Sequence, residues 1–147
     1  MPVPANERIT GAVLSVTHIY NWAPEANDRL YIHLLDNPAL GVNAWWDGQG
    51  GGDNWASWPL VAVYSDPDDA ASAENLSYDL FALGLLDEFT TYAADGLAGF
   101  GFDPDCHYYN CGWSFSYTTA PIPEPSSAAL LLSGAVPLLG IARRRRR

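Results

Sequence analysis

The sequence predicts a mostly β protein: an antiparallel β-sandwich ectodomain over residues 9–120, followed by a short C-terminal transmembrane helix. Three observations carry this prediction. Apolar runs are short and separated by turn chemistry, with Asn37-Pro38, Asp47-Gly48, Asp66-Pro67-Asp68-Asp69 and Asp103-Pro104-Asp105 between them. Residues 111–118 alternate strictly, Cys111, Trp113, Phe115 and Tyr117 to one side and Gly112, Ser114, Ser116 and Thr118 to the other, the period of a strand with one buried face. Residues 126–142 carry no charge and are followed by five arginines that end the sequence.

Taken in order, residues 1–8 are polar, contain Pro2 and Pro4, and read as a linker or the remnant of a leader. They have neither the basic start nor the apolar stretch of a signal peptide, so either export is not Sec-dependent or the true start lies upstream of Met1, and the tail favours the second. Strands are predicted near Ile9–Tyr20, Leu30–Leu35, Leu60–Tyr64, Leu76–Leu80, Leu97–Phe102 and Gly112–Thr118. One short helix is predicted over Leu80–Phe89, weakened by Gly84. Residues 121–127 form a proline-bearing spacer, 128–142 a hydrophobic helix and 143–147 a basic stop. As a helix, residues 126–142 span about 25 Å against a hydrocarbon core of roughly 30 Å. Gly134, Pro137 and Gly140 weaken it further, so it suits a segment held briefly and then removed. The terminal arginines stay cytoplasmic by the positive-inside bias, which places residues 1–125 outside.

Charge divides the chain at the same place. Residues 1–120 hold sixteen acidic side chains and two basic ones, Arg8 and Arg29, and there is no lysine. Such a domain repels phosphate backbones, which excludes nucleic acid as a partner. Aromatic residues make up 13% of the chain, which argues for a folded domain rather than a disordered one.

Several residues carry candidate chemistry. Cys106 and Cys111 enclose four residues and support two readings: a disulfide that staples a hairpin tip, or two reduced thiols. Trp45, Trp46, Trp55 and Trp58 flank a glycine-rich loop. Exposed indole faces stack on sugar C–H faces, so the loop is a candidate carbohydrate contact. The competing reading is that the indoles fill the core and the glycines make a long hairpin tip. The loop lacks the Gly-Lys-Ser/Thr ending of a phosphate loop. Asp66, Asp68 and Asp69 share one turn and offer hard oxygen ligands for structural calcium, against the plainer reading of turn formers. No other cofactor is expected. His18, His33 and His107 are scattered and no nucleophile or metalloprotease motif occurs, so no catalytic residues are assigned and the protein is not expected to be an enzyme.

The tail carries a family resemblance. Pro123-Glu124-Pro125, the serines after it, the apolar segment and Arg143, Arg144, Arg145, Arg146 and Arg147 stand in an order and spacing that closely resembles the PEP-CTERM sorting signal. The resemblance implies export in a Gram-negative, exopolysaccharide-making bacterium. It also implies processing near Pro123, Glu124 and Pro125 by exosortase, a membrane-embedded cysteine peptidase. Two prolines hold the backbone extended and leave Glu124 presented for recognition. In this reading the precursor sits in the inner membrane with its ectodomain periplasmic, then moves to the cell surface or matrix. The expected function is that of a non-enzymatic surface or exopolysaccharide-matrix protein; the alternative is a secreted carbohydrate-binding or carbohydrate-active module using residues 45–58.

Overall fold

A computed structural model describes residues 3–25, 28–44, 51–66, 73–105 and 107–123. Its longest strand, β1 (Glu7–Asn21), buries Ile9, Ala12, Leu14, Val16, Ile19 and Asn21. Side chains alternate along a strand, so a regular one would place Ile9 opposite to Ala12, and Val16 opposite to Ile19. Two β-bulges remove the conflict. One lies between Ile9 and Gly11 and the other between Val16 and Ile19, and each inserts one residue that resets the core face. At the second bulge His18 adopts φ 51°, and its N–H donates to Asn75 Oδ1 at 2.8 Å.

β1 is the centre of one antiparallel sheet. The strand β4 (Glu74–Asp79) lies along one edge. The two-residue β6 (Tyr108–Tyr109) and the long β7 (Trp113–Pro121) follow each other along the other edge, separated at Gly112, where φ is 124°. A second antiparallel sheet places β2 (Leu30–Asp36) between β3 (Leu60–Tyr64) and β5 (Ala98–Pro104). Leu30, Ile32 and Leu34 of β2 and Val61 and Tyr64 of β3 join the β1 residues in one buried cluster. Rings from the two sheets meet across it: Phe100 with Phe115 at 5.0 Å, Phe102 with Trp113 at 6.1 Å and Tyr64 with Tyr108 at 5.7 Å between centroids. Among the described residues the protein is therefore mostly β, built of antiparallel sheets with one short α-helix.

That helix, α1 (Leu86–Tyr92), starts six residues later than the sequence predicts. Asp79 Oδ1 accepts the N–H groups of Phe81 and Ala82, and Leu83 N–H donates to the Asp79 carbonyl, which winds residues 79–84 into a turn. Gly84 closes that turn with φ 73° and so delays the helix. Phe89 is the helix's buried residue and packs its ring on Phe115 at 5.0 Å. The six strands expected from the sequence are present, β1 to β5 and β7, with ends displaced by a few residues. β6 was not expected, because two tyrosines carry no alternation. Among the described residues no helix is long and apolar enough to cross a membrane; the predicted helix at 128–142 lies outside them.

Candidate functional site

The tryptophan-bearing loop turns inward. On the outer face of the second sheet, His33 of β2 stands opposite Gly101 of β5, and Tyr31 opposite Asp103. Residues 53–58 fold back over this face. The Asp103 carboxylate, almost fully buried, accepts the N–H of Asn54 at 2.7 Å. Trp55 lies directly over Gly101, where an added Cβ would stand 2.2 Å from the indole. Trp58 meets the ring of Tyr92 edge-on at 6.2 Å. The Tyr92 hydroxyl is held by the Glu88 carboxylate, which with burial pushes it up to about 12. Buried His33 pins the loop, its Nδ1 donating to the Trp58 carbonyl at 3.0 Å while Nε2 faces Asp53 Oδ1 at 3.0 Å, out of line for a hydrogen bond. Asp53 Oδ1 in turn accepts Trp55 N–H at 3.0 Å. Trp55 and Trp58 are thus half-buried, the first packed on Gly101 and the second against Tyr92. Trp45 and Trp46 lie outside the described residues.

Acidic residues are used in the same structural way. Asp28 Oδ2 accepts the Asn21 side-chain amide at 2.7 Å and Glu25 N–H at 2.9 Å. Asp66 Oδ2 accepts Asn21 N–H at 3.0 Å. Asp66 is buried, and one of its oxygens is therefore committed to the end of β1. Asp68 and Asp69, its expected companions around calcium, lie outside the described residues. Among the described residues no three His, Cys, Asp or Glu side chains are arranged to hold a metal ion.

The expected Cys106–Cys111 bridge is not borne out. Cys111 is exposed with a free thiol, and Cys106 lies outside the described residues. Backbone pairing holds this segment instead: Cys111 N–H donates to the Thr17 carbonyl and Thr17 N–H to the Gly112 carbonyl, each at 2.9 Å, and β6 pairs with Tyr20 and Asn21.

That pairing assembles an aromatic strip. Beyond the second bulge Ile19 and Asn21 face inward, so His18, Tyr20 and Trp22 face outward. Tyr20 meets His18 at 5.8 Å and Tyr109 at 5.4 Å, and Trp22 meets His107 at 4.5 Å. Trp22 is 58% exposed and Tyr109 51% exposed, so both present rings to solvent. The signal was the i, i+2, i+4 spacing of His18, Tyr20 and Trp22. It is legible only once the bulge has set which face those positions take.

At the opposite end of β1 the tail leaves the fold. β7 pairs through Ala120 with Arg8 and through Pro121 with Glu7, and Ile122 N–H donates to the Asn6 carbonyl at 2.8 Å. The Thr119 hydroxyl bonds the Glu7 carboxylate. Beside this exit a cavity of about 420 Å³ opens between β1 and the end of α1, lined by Val3, Arg8, Ile9, Thr90 and Ala94 among others. Pro123 is exposed; Glu124, Pro125 and Arg143 to Arg147 lie outside the described residues. Residues 121–147 match the family model of the PEP-CTERM protein-sorting motif. No curated protein and no solved structure matches the chain.

Proposed function

With a PEP-CTERM protein-sorting motif at residues 121–147, we propose that the chain is an exported protein that exosortase processes and delivers to the surface or exopolysaccharide matrix of a Gram-negative bacterium, where its two facing sheets act as a non-catalytic sandwich. The observation that carries this reading is the junction between fold and motif. The last strand ends at Pro121, where the motif begins, so a folded domain is followed at once by a processing signal. A non-catalytic role is supported by how the polar groups inside the domain are used. His33, Asp28, Asp66 and Asp103 hold loops and strand ends through internal contacts. Intact-mass measurement of the protein recovered from envelope and medium tests the sorting. The expected product lacks Arg143–Arg147; a recovered form that keeps them would sink the reading.

The exposed strip favours a second reading, a carbohydrate-binding module, with the contact moved from the tryptophan loop to Tyr20, Trp22 and Tyr109. Ring faces stack on sugar C–H faces, and an acidic domain opposes anionic polymers, so the ligand of this reading is a neutral polysaccharide. The Trp22→Ala, Tyr109→Ala double variant is expected to bind purified neutral exopolysaccharide about ten-fold more weakly, equivalent to about 1.4 kcal/mol. Equal binding by the two proteins in a pull-down or calorimetric titration removes this reading.

A further inference from the structure

We propose that β7 is a dimerisation edge: two copies of this chain pair their β7 strands antiparallel across a two-fold axis and join their first sheets into one. Among the described residues β7 pairs with β1 on one side, and no strand pairs with its other side. The ladder fixes where its backbone groups point. Leu80 N–H donates to the Ala12 carbonyl, so Ala12 turns its backbone toward β4, and Val13 and Ser15 turn theirs toward β7. Their partners Ser116 and Ser114 therefore use N–H and C=O on β1. Trp113 and Phe115 direct theirs to the outer edge. Natural edge strands are guarded by charge, by proline or by being short. β7 has nine residues and no charged side chain, and its proline is the last residue, Pro121. On the opposite edge of the same sheet, β4 carries Glu74 and Asp79 at its two ends.

The side chains point to the same occupant. Phe100 and Phe102 of β5 are half-buried, as are Phe115 and Tyr117 of β7, and Trp113 is 44% exposed. These rings meet along one flank of the two sheets, Phe100 with Trp113 at 6.4 Å and Phe115 with Tyr117 at 6.5 Å, and none is buried as Leu14 and Ile32 are. Charge selects the partner. Residues 1–120 hold sixteen acidic side chains against two basic ones, so two copies repel wherever acidic faces approach, and a basic strand is drawn to those faces. The uncharged edge takes an uncharged strand, and β7 is itself one. β3 is also uncharged, but it has five residues and buries Val61 and Tyr64. Pairing of β7 with its own copy is self-complementary. Residues with outward-directed backbone meet their like, so the aromatic row lies beside the aromatic row of the second copy on one face. Ser114, Ser116 and Thr118 lie beside its hydroxyls on the other. Both second sheets then stand on the same side, where the ring flank of each borders that of the other.

The test uses the full chain, made in a host without exosortase and kept in mild detergent. Native mass spectrometry is expected to find twice the 16.0 kDa of one chain. The Ser114→Glu, Ser116→Glu double variant sets like charges against each other across the axis, as does Ser114→Lys, Ser116→Lys. Each is expected to be monomeric alone, and an equimolar mixture of the two is expected to give the mixed dimer. Hydrogen exchange on the wild type needs no variant: the Trp113 and Phe115 amides should be protected at high protein concentration and lose that protection on dilution. A monomeric wild type overturns the inference, whether the edge is bare or holds a strand of another protein. A dimer that both variants retain belongs to the tail or to another face and overturns it too. Exchange at Trp113 and Phe115 that does not depend on concentration does the same.

Discussion

Two residues of the second sheet show how much a single position carries. Gly101 is a glycine because Trp55 occupies the space of its side chain, with the indole 2.2 Å from where a Cβ would be. Gly101→Ala is expected to destabilise the protein by about 1–3 kcal/mol through overpacking, measured by denaturant unfolding. Lifting of the 51–59 loop would accompany it, visible as a red-shifted tryptophan emission. Asp105 makes the opposite case. Burial pushes its carboxyl above the ordinary value of 3.8, and Asp103 and Asp28 add to the shift, while backbone groups of Gly52 and Arg29 oppose it. The folded state then holds this proton to higher pH than the unfolded chain does. The charged form costs stability once the pH exceeds the raised value, and the cost fades as the pH falls toward 3.8. Asp105→Asn is therefore expected to raise the melting temperature by a few degrees at pH 7 and to leave it unchanged below the ordinary carboxyl value. A melting-temperature gain that persists at low pH would show another cause.

Among the elements, β1 is the one whose sequence hides its structure. Its apolar residues follow neither a period of two nor a helical period, because two extra residues interrupt the alternation. At the first bulge Thr10 is the surplus residue, and its hydroxyl lies 3.2 Å from that of Thr118. Deleting Thr10 leaves Ile9 and Ala12 on the core face of a regular strand. Deleting Val13 turns both outward, and exposing Ile9 alone costs about 1.5–3 kcal/mol. The expected outcome is a Thr10 deletion that unfolds close to wild type and a Val13 deletion that is clearly destabilised, compared by chemical denaturation. Comparable losses in the two variants would mean that the bulge is needed for more than register. α1 gives the complementary lesson. The apolar pattern near residue 80 predicts a helix, yet local hydrogen bonds to Asp79 and the positive φ of Gly84 wind those residues into a turn.

At the scale of the whole molecule, the ends of the chain set the order of events. β1 and β7 pair at the start of one and the finish of the other, so residues 4–8 and the root of the sorting motif lie side by side. The first two residues of the motif still belong to the sheet, Pro121 opposite Glu7 and Ile122 N–H bonded to the Asn6 carbonyl. Charge divides domain from tail, since the five terminal arginines belong to the tail while the domain is strongly acidic. Loss of the tail in the mature form should therefore also lower the isoelectric point below the whole-chain value of about 4.3, a second readout of the processing measured by mass.

The strand content, the antiparallel class and the sorting motif were legible in the sequence, because each is written in contiguous residues: alternation within β7, turn chemistry between strands, and the order of proline spacer, apolar segment and arginines. Contacts between distant residues decided the rest. Trp55 and Trp58 are neighbours of a glycine loop in sequence, and only the distant Gly101 and Tyr92 make them structural. Cys111 is near Cys106 in sequence, but its segment is held by pairing with Thr17. The aromatic strip exists because a bulge in β1 turns His18, Tyr20 and Trp22 outward and β6 brings Tyr109 beside them. A sequence states which side chains are present and their local period. Which of them reach solvent depends on register and on what lies across the sheet, and those are set by long-range pairing.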